Sequence, residues 1–315
     1  ARGEQSLLFL NRRGFAPVWM CVDCGFIAPC RRCDARLTYH RATARLICHH
    51  CGAEAEVPAT CPACQGTRLH AQGEGTERVE AALARHFAGA RVLRIDRDTT
   101  RRKGALATQL ASVHAGDADI LVGTQMLSKG HDFPNVTLVG VLNADQGLYS
   151  ADFRGPERLF QQIVQVAGRA GRAARPGRVL IQTYHPEHPI FTALRAHDYV
   201  GFADYALAER RAAGYPPFRH LALLRAESPK PGAPLAFLRR ARAFAGAAPA
   251  TVELMEPVAA PMERRAGRYR AQLLVQASAR KPLHAFLDTW LVRIWDSKEA
   301  KRVRWSIDVD PIDMY

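Results

Sequence analysis

Four Cys-x-x-Cys pairs, Cys21/Cys24, Cys30/Cys33, Cys48/Cys51 and Cys61/Cys64, fall within 44 residues and use every cysteine of the chain. A tight turn brings the two sulfurs of such a pair to one side of the backbone, at the right bite for one metal ion. Eight thiolates in this spacing supply two tetrahedral zinc ions and leave no coordination position open, so the metal is structural. The competing reading is disulfides, which need an oxidising compartment and rarely form within adjacent Cys-x-x-Cys pairs. The stretch from about residue 18 to 70 carries many small residues and a few prolines and has no long apolar period. It fits a metal-stapled module with almost no core of its own.

Four pairs can combine in three ways. Cys30/Cys33 and Cys48/Cys51 are separated by 14 residues, close to a zinc-ribbon spacing, which favours a nested arrangement with Cys21/Cys24 and Cys61/Cys64 closing the outer site. Sequential pairing is the alternative, because the link between the first two pairs is also long enough to close. His40, His49 and His50 are read as surface or supporting groups rather than ligands.

At 315 residues the chain is long enough for two domains, or three with the cysteine insert, and 48% hydrophobic content is enough for buried cores. The formal net charge of +14, mostly from arginine, points to a polyanionic partner, nucleic acid first. A basic but non-binding surface is the plainer explanation of the same charge. No apolar run approaches the length of a membrane span and no signal-peptide pattern opens the chain, so a cytosolic protein with reduced cysteines is expected. The start at Ala1 suggests a piece of a longer protein.

Outside the cysteines the pattern alternates. Strands are expected at 6–10, 92–95, 119–123, 136–142 and 178–183, with helices at 77–87 (capped by Thr76), 103–114, 156–170 and 188–213. Such alternation implies a parallel sheet with helices on its faces, interrupted after its first strand by the cysteine module. Beyond Gly214-Tyr-Pro-Pro217 the order strand, helix, strand, helix, strand predicts a small α+β domain. The expected fold class is therefore α/β. Its expected domains are a lobe of residues 1–17 and 71–213, a zinc insert of 18–70 and a C-terminal α+β domain of 214–315.

Two motifs outside the cysteines carry chemistry. Gln165-Val-Ala-Gly-Arg169-Ala-Gly-Arg172 sets two arginines three residues apart beside glycines that allow close approach. Guanidinium groups match phosphate oxygens in bidentate fashion and suit an arginine-finger role. A basic helix end that satisfies its own carbonyls is the bland reading. Gly123-Thr-Gln-Met-Leu-Ser-Lys129-Gly130-His-Asp132-Phe-Pro-Asn135 follows a buried strand, a common ligand position, where Lys129 can face phosphate and Asp132 a ribose hydroxyl.

These two segments resemble motifs V and VI of superfamily 2 helicases. Together with Phe9-Leu-Asn-Arg-Arg-Gly14, the cysteine array, Arg94-Ile-Asp-Arg-Asp-Thr-Thr100 and Asp308-Val-Asp-Pro-Ile312, the chain resembles the PriA family of bacterial replication-restart helicases over essentially its whole length. The resemblance implies a RecA-like second helicase lobe in an ATP-dependent 3′-to-5′ DNA helicase that recognises and remodels stalled forks and starts primosome assembly. It implies one zinc ion on Cys21, Cys24, Cys61 and Cys64 and another on Cys30, Cys33, Cys48 and Cys51. It implies phosphate contacts by Gln165, Arg169 and Arg172, and nucleotide contacts in the loop of Lys129, Gly130 and Asp132. Forked and single-stranded DNA, single-stranded DNA-binding protein and other primosome proteins are the implied partners of a cytoplasmic, nucleoid-associated monomer that needs no membrane. ATP and Mg²⁺ are implied for the full-length protein. This chain has no Gly-x-x-x-x-Gly-Lys-[Ser/Thr] and no Asp-Glu-x-His, so it is expected to be inactive alone. The alternative is a non-catalytic, zinc-stapled DNA and protein adaptor with vestigial motifs.

Candidate DNA contacts are Arg31, Arg32, Arg36, Arg41 and Arg45 in the module, with Trp19 and Phe26 either stacking on bases or covering the metal core. The segment Arg264-Arg-Ala-Gly-Arg268-Tyr269-Arg270 is a candidate for DNA phosphate or an acidic peptide.

Overall fold

The computed structural model describes residues 3–10, 18–32, 34–40, 43–48, 51–72, 76–96, 99–100, 102–128, 132–148, 152–171 and 176–314. The chain divides into two compact units, residues 1–17 with 73–206 and residues 18–72 with 207–315. In chain order, β1 (Gln5–Leu10) is followed by the cysteine region with β2 (Val18–Cys21), β3 (Thr38–His40), β4 (Arg45–Ile47), β5 (Glu54–Glu56) and β6 (Leu69–Gln72). The first unit resumes with α1 (Thr76–His86), β7 (Val92–Ile95), α2 (Ala105–His114), β8 (Ile120–Gly123), α3 (Gln125–Ser128) and β9 (Val136–Leu142). It ends with α4 (Gly155–Ala167), β10 (Arg178–Ile181), α5 (Pro189–Ala196) and the start of α6 (Tyr199–Ala213). The C-terminal part contains β11 (His220–Ser228), α7 (Ala233–Phe244), β12 (Val252–Leu254), β13 (Val258–Arg265), β14 (Arg268–Ala277), α8 (Arg280–Trp295) and β15 (Arg304–Val309).

The first unit is an α/β layer structure around a five-stranded parallel sheet in the order β10-β9-β1-β8-β7. β1 lies in the middle, and its run Leu7-Leu-Phe-Leu10 is apolar, with Leu7 and Phe9 fully buried in the core and Leu8 half-buried on the opposite face. Gln5 is the buried exception, and its Nε2 donates to the carbonyls of Val113 and Ala118. Leu159, Phe160, Ile163 and Val166 make one stripe of α4, and Phe160 stacks on Phe202 with ring centroids 4.2 Å apart. The sequence gives residues 188–213 as one helical stretch. The structure divides it at His197, which takes a left-handed conformation with φ 54°. Thr76 lies inside α1, and its hydroxyl donates to the buried Asp96 carboxylate at 2.6 Å, tying the helix to the end of β7 rather than capping it.

In the second unit the cysteine region is a small antiparallel sheet, β5-β4-β3-β2-β6. Its buried cluster consists of Ala28, Cys30, Leu37, Leu46 and Cys48, with Trp19, Phe26 and Tyr39 packed at its edge. Burying so few side chains contributes only several kcal/mol. A structural zinc contributes roughly 10–16 kcal/mol of apparent binding free energy to folding. The C-terminal part is a second antiparallel sheet, β12-β14-β11-β15 with β13 on β14, and one face is covered by α7 and α8. The sequence anticipates three of these five strands and both helices.

Candidate metal centre and motor motifs

Each cysteine turn has its own hydrogen-bond signature. In the turns that begin at Cys21, Cys48 and Cys61, the cysteine N–H donates to the carbonyl five residues on. Its own carbonyl accepts from the N–H four residues on, that of Gly25, Gly52 and Gln65. Those three residues have φ of 73°, 70° and 61°, the left-handed geometry that closes the turn and aims both sulfurs to one side. Cys21, Cys24, Cys61 and Cys64 converge, with all four sulfurs within 4.8 Å of one another. The Cys21–Cys64 and Cys24–Cys61 sulfurs are 3.7 and 3.6 Å apart. A zinc tetrahedron with bonds of ~2.3 Å has edges of about 3.8 Å, so the donor set and its spacing fit zinc, whereas a disulfide needs about 2.05 Å. Cys30, Cys48 and Cys51 form a second cluster, with Cys30 and Cys51 3.7 Å apart. Cys33, His49 and His50 lie outside the described residues.

The outer cluster carries a latch that the sequence reading missed. Asp23, inside the first turn, receives Arg68 Nε at 2.6 Å and also Arg68 Nη2, while Val22 N–H donates to the Arg68 carbonyl. This ion pair raises the Arg68 guanidinium above its ordinary range. Gly66 leaves room for it, since a Cβ there would lie 2.6 Å from Asp23 Oδ2 and would push the carboxylate aside.

The turn that begins at Cys30 departs from the other three. Its cysteine N–H still reaches the fifth residue, Ala35, but the N–H of Asp34 donates at 2.8 Å to the carbonyl of Arg264 in the C-terminal domain. The Asp34 carboxylate accepts the Arg264 N–H, and Arg264 Nη2 donates to the carbonyls of Arg31 and, at 3.4 Å, Cys30. Gly267 N–H donates to the Arg32 carbonyl at 2.7 Å, and the Arg32 guanidinium returns a bond to Ala266 at 3.4 Å. The β13–β14 turn thus supplies the closure that the other turns supply from within.

Of the candidate nucleic-acid residues, Arg31, Arg32 and Arg36 are exposed, Arg45 pairs with Glu54 and Glu56, and Arg41 lies outside the described residues. Trp19 packs on Tyr39 at 4.8 Å, and both it and Phe26 belong to the module's core edge.

In the parallel-sheet unit, Gly123 ends β8 where a Cβ would lie 2.3 Å from the Ile95 carbonyl oxygen, so only glycine lets the strand turn into α3. Lys129 and Gly130 lie outside the described residues. Asp132 is exposed and precedes Phe133, whose carbonyl accepts the N–H of Val136 at the start of β9. Gln165 is exposed on α4, and Arg169 is half-buried in the turn that follows it. That turn is anchored by Gly171 N–H to the Val136 carbonyl at 3.0 Å. The segments of Asp132 and Arg169 therefore meet at the amino end of β9. The loop only begins at the carboxyl end of β8, where the sequence argument locates it. Arg172 lies outside the described residues.

Two buried acids missing from the sequence reading fix other parts of this unit. Asp152 is fully buried, accepts the Arg154 N–H at 3.0 Å and pairs with Arg158 at 2.9 Å, which fixes the start of α4. Asp145 accepts from the Thr183 hydroxyl and the Tyr184 N–H, joining the end of β9 to the end of β10.

Comparison with known proteins gives three family matches: residues 30–55 to the PriA DNA helicase Cys-rich region domain, 64–174 to the Helicase conserved C-terminal domain, and 211–312 to the Primosomal protein N C-terminal domain. The chain is 44% identical to the replication restart protein PriA of Haemophilus influenzae over 99% of its own length and 43% of that protein's. The chain belongs to the PriA family. The Bacillus subtilis PriA is also 44% identical, over 100% of this chain and 39% of the relative, and that of Rickettsia conorii is 37% identical, over 99% and 48%. The chain thus spans less than half the length of these PriA relatives and corresponds to their C-terminal domains. The first unit is a helicase C-terminal lobe, and the cysteine region is a zinc-binding module of the PriA kind. Among the described residues, no helix is long and apolar enough to cross a membrane.

Proposed function

We propose that this chain is the second motor lobe, zinc module and C-terminal domain of an ATP-dependent 3′-to-5′ DNA helicase that recognises and remodels stalled replication forks and initiates primosome assembly. The supporting observation is a conjunction. A helicase C-terminal lobe carrying Gln165, Arg169 and Arg172 is interrupted after its first strand by a cysteine module with zinc geometry. On this reading Cys21, Cys24, Cys61 and Cys64 hold one zinc ion, and Cys30, Cys33, Cys48 and Cys51 the other. The domains are residues 1–17 with 71–213, 18–70 and 214–315.

ATP and Mg²⁺ bind in the full-length protein, where nucleotide hydrolysis supplies the driving force. This chain's part is electrostatic. Arg169 and Arg172 present guanidinium groups to the phosphates, Gln165 orients beside them, and Lys129, Gly130 and Asp132 line the neighbouring loop. The meeting of the Asp132 and Arg169 segments at one end of β9 supports a single nucleotide-facing edge. The phosphate-cradling motif is missing from this sequence, so the 315-residue chain is inactive by itself. DNA, single-stranded DNA-binding protein and primosome proteins are the proposed partners of a cytoplasmic monomer.

The test is ATP hydrolysis stimulated by forked DNA, with this chain joined to its upstream lobe, as wild type and as Arg172→Ala. Activity in the first and a loss of about 10³-fold or more in the second, with both metals retained, is the expected result. No hydrolysis in either protein with DNA binding intact would replace the motor with an adaptor.

A further inference from the structure

The C-terminal sheet has one face covered by helices, and one end of its other face is charged. Ala222, Leu224 and Ala226 of β11, Leu273 and Val275 of β14 and Ile307 of β15 pack under α7 and α8. Strand alternation then sends Arg225 and Glu227, Arg268 and Arg270, and Arg304 to the other face. Register brings them side by side, with Glu227 opposite Arg270 on one neighbour and Arg304 on the other. Arg265 joins them from the β13–β14 turn, and together they line a cavity of about 490 Å³.

The charges there do not balance. Glu227 serves both Arg304 at 3.3 Å and Arg268 at 3.9 Å. Arg225 is engaged by Asp308 at 2.8 Å and by the Asp313 carbonyl. Five arginines thus line the cavity beside one carboxylate, Glu227, while Asp308 pairs, among the described residues, with Arg225 alone. Arg270, at the centre, has a bond of 3.5 Å to the Met262 carbonyl. Burial, and then the neighbouring Arg265 and Arg225, hold its guanidinium below its ordinary range. Uncompensated like charge in a concave site is relieved by an anion.

We propose that this cavity is a binding site for the phosphate backbone of single-stranded DNA, and that the cysteine turn at Cys30 holds its rim in place. The ring of Trp305 packs towards Phe237 and Trp295, and the remaining apolar lining is alanine. The cavity therefore presents neither a stacking platform for bases nor an apolar anchor for a peptide, which favours sequence-independent contact with phosphate. The rim is held by local contacts. Arg265 and Arg268 belong to the same short turn whose Arg264, Ala266 and Gly267 bond to residues 30–34. Releasing that turn displaces two of the five arginines.

This inference rests on the proposal that the protein binds DNA, and the test separates the two. Affinity of the 315-residue chain for a short oligo-deoxythymidylate is measured by fluorescence anisotropy between about 50 and 200 mM salt, the range in which phosphate contacts are read. The variants are Arg268→Gln and Arg304→Gln, both at exposed positions, and Asp34→Ala, which removes no arginine. Each arginine variant is expected to weaken binding equally for all base compositions and to make the log–log salt slope shallower by about 0.7. Asp34→Ala is expected to weaken binding while circular dichroism stays unchanged. Failure of the wild-type chain to bind any oligonucleotide would sink the DNA-binding proposal itself. Wild-type binding with both arginine variants unchanged would sink the cavity alone, as would tighter binding of an acidic peptide than of the oligonucleotide. An unaltered Asp34→Ala beside weakened arginine variants would remove the role of the Cys30 turn.

Discussion

Arg264→Ala tests whether the C-terminal domain is part of the inner metal site. The Arg264 guanidinium donates to the Arg31 carbonyl and, at a long 3.4 Å, to that of Cys30. Hydrogen bonds to a charged group contribute about 1.5–3 kcal/mol each; the bond to Arg31 at the low end, with a smaller part from the long bond to Cys30, gives about 2 kcal/mol for the two together. The Arg264 backbone bonds to Asp34 survive the substitution. If the metal-free Cys30 turn lets go of the β13–β14 turn, this energy is part of metal retention, and its loss speeds release by about 30-fold at 1.4 kcal/mol per decade. The assay is release of zinc into excess chromogenic chelator, with the inner-site phase assigned by its disappearance in Cys51→Ser. The expected outcome is one accelerated phase, while the phase belonging to Cys21, Cys24, Cys61 and Cys64 keeps its wild-type rate. Equal acceleration of both phases would indicate general unfolding. An inner phase within about twofold of wild type would show that the contact lies against the metal site without supporting it.

Three further outcomes are expected. Gly123→Ala forces a Cβ to 2.3 Å from the Ile95 carbonyl and should destabilise the parallel-sheet unit by about 3 kcal/mol, read from urea unfolding. The Arg91 guanidinium, and then the Arg91 N–H, hold Asp119 at about 2, below its ordinary 3.8. A depressed carboxylate contributes stability above its unfolded value and loses it as pH falls, so wild type should lose stability relative to Asp119→Asn between about pH 4 and pH 2; parallel acid melts would refute this. Stripping the metals with a chelator should abolish amide protection at Tyr39 and Leu46 while Leu7 and Val139 stay protected in hydrogen exchange, because only the module has too small a core to stand alone.

Much of this was legible in the sequence because it is local. The strands at 92–95 and 136–142 stand where the apolar runs lie, and the Cys-x-x-Cys spacing favoured the nested clusters. β13 was missed because Val258–Arg265 is an exposed edge strand with a proline at its centre, and its pairing to β14 leaves no apolar alternation. The short strands of the cysteine module have too few residues to show a period. The position of Asp132 at the amino end of β9 depends on the path of the loop after Gly123, which residue types do not specify. The bond between Asp34 and Arg264 spans 230 positions, beyond any local pattern. One signal for it did exist. Where three cysteine turns place Gly25, Gly52 or Gln65 in left-handed geometry, the fourth places Asp34, a residue able to accept a bond from elsewhere.

The pairing of Val18 with Gln72 has a consequence for the helicase C-terminal lobe. The chain leaves β1, makes an excursion of 55 residues and comes back to its point of departure. From within the lobe, the folded excursion is a connection whose effective length is only the few residues on either side of that pair. Melting the excursion would lengthen the connection between Leu10 and Thr76 about sixfold. Because closure entropy grows only with the logarithm of length, the added penalty is about 2 kcal/mol. On chain entropy alone, the lobe is thus nearly insulated from the metal state of what it carries. The module can lose its ions, or take up a different set of partners, with little disturbance to the parallel sheet.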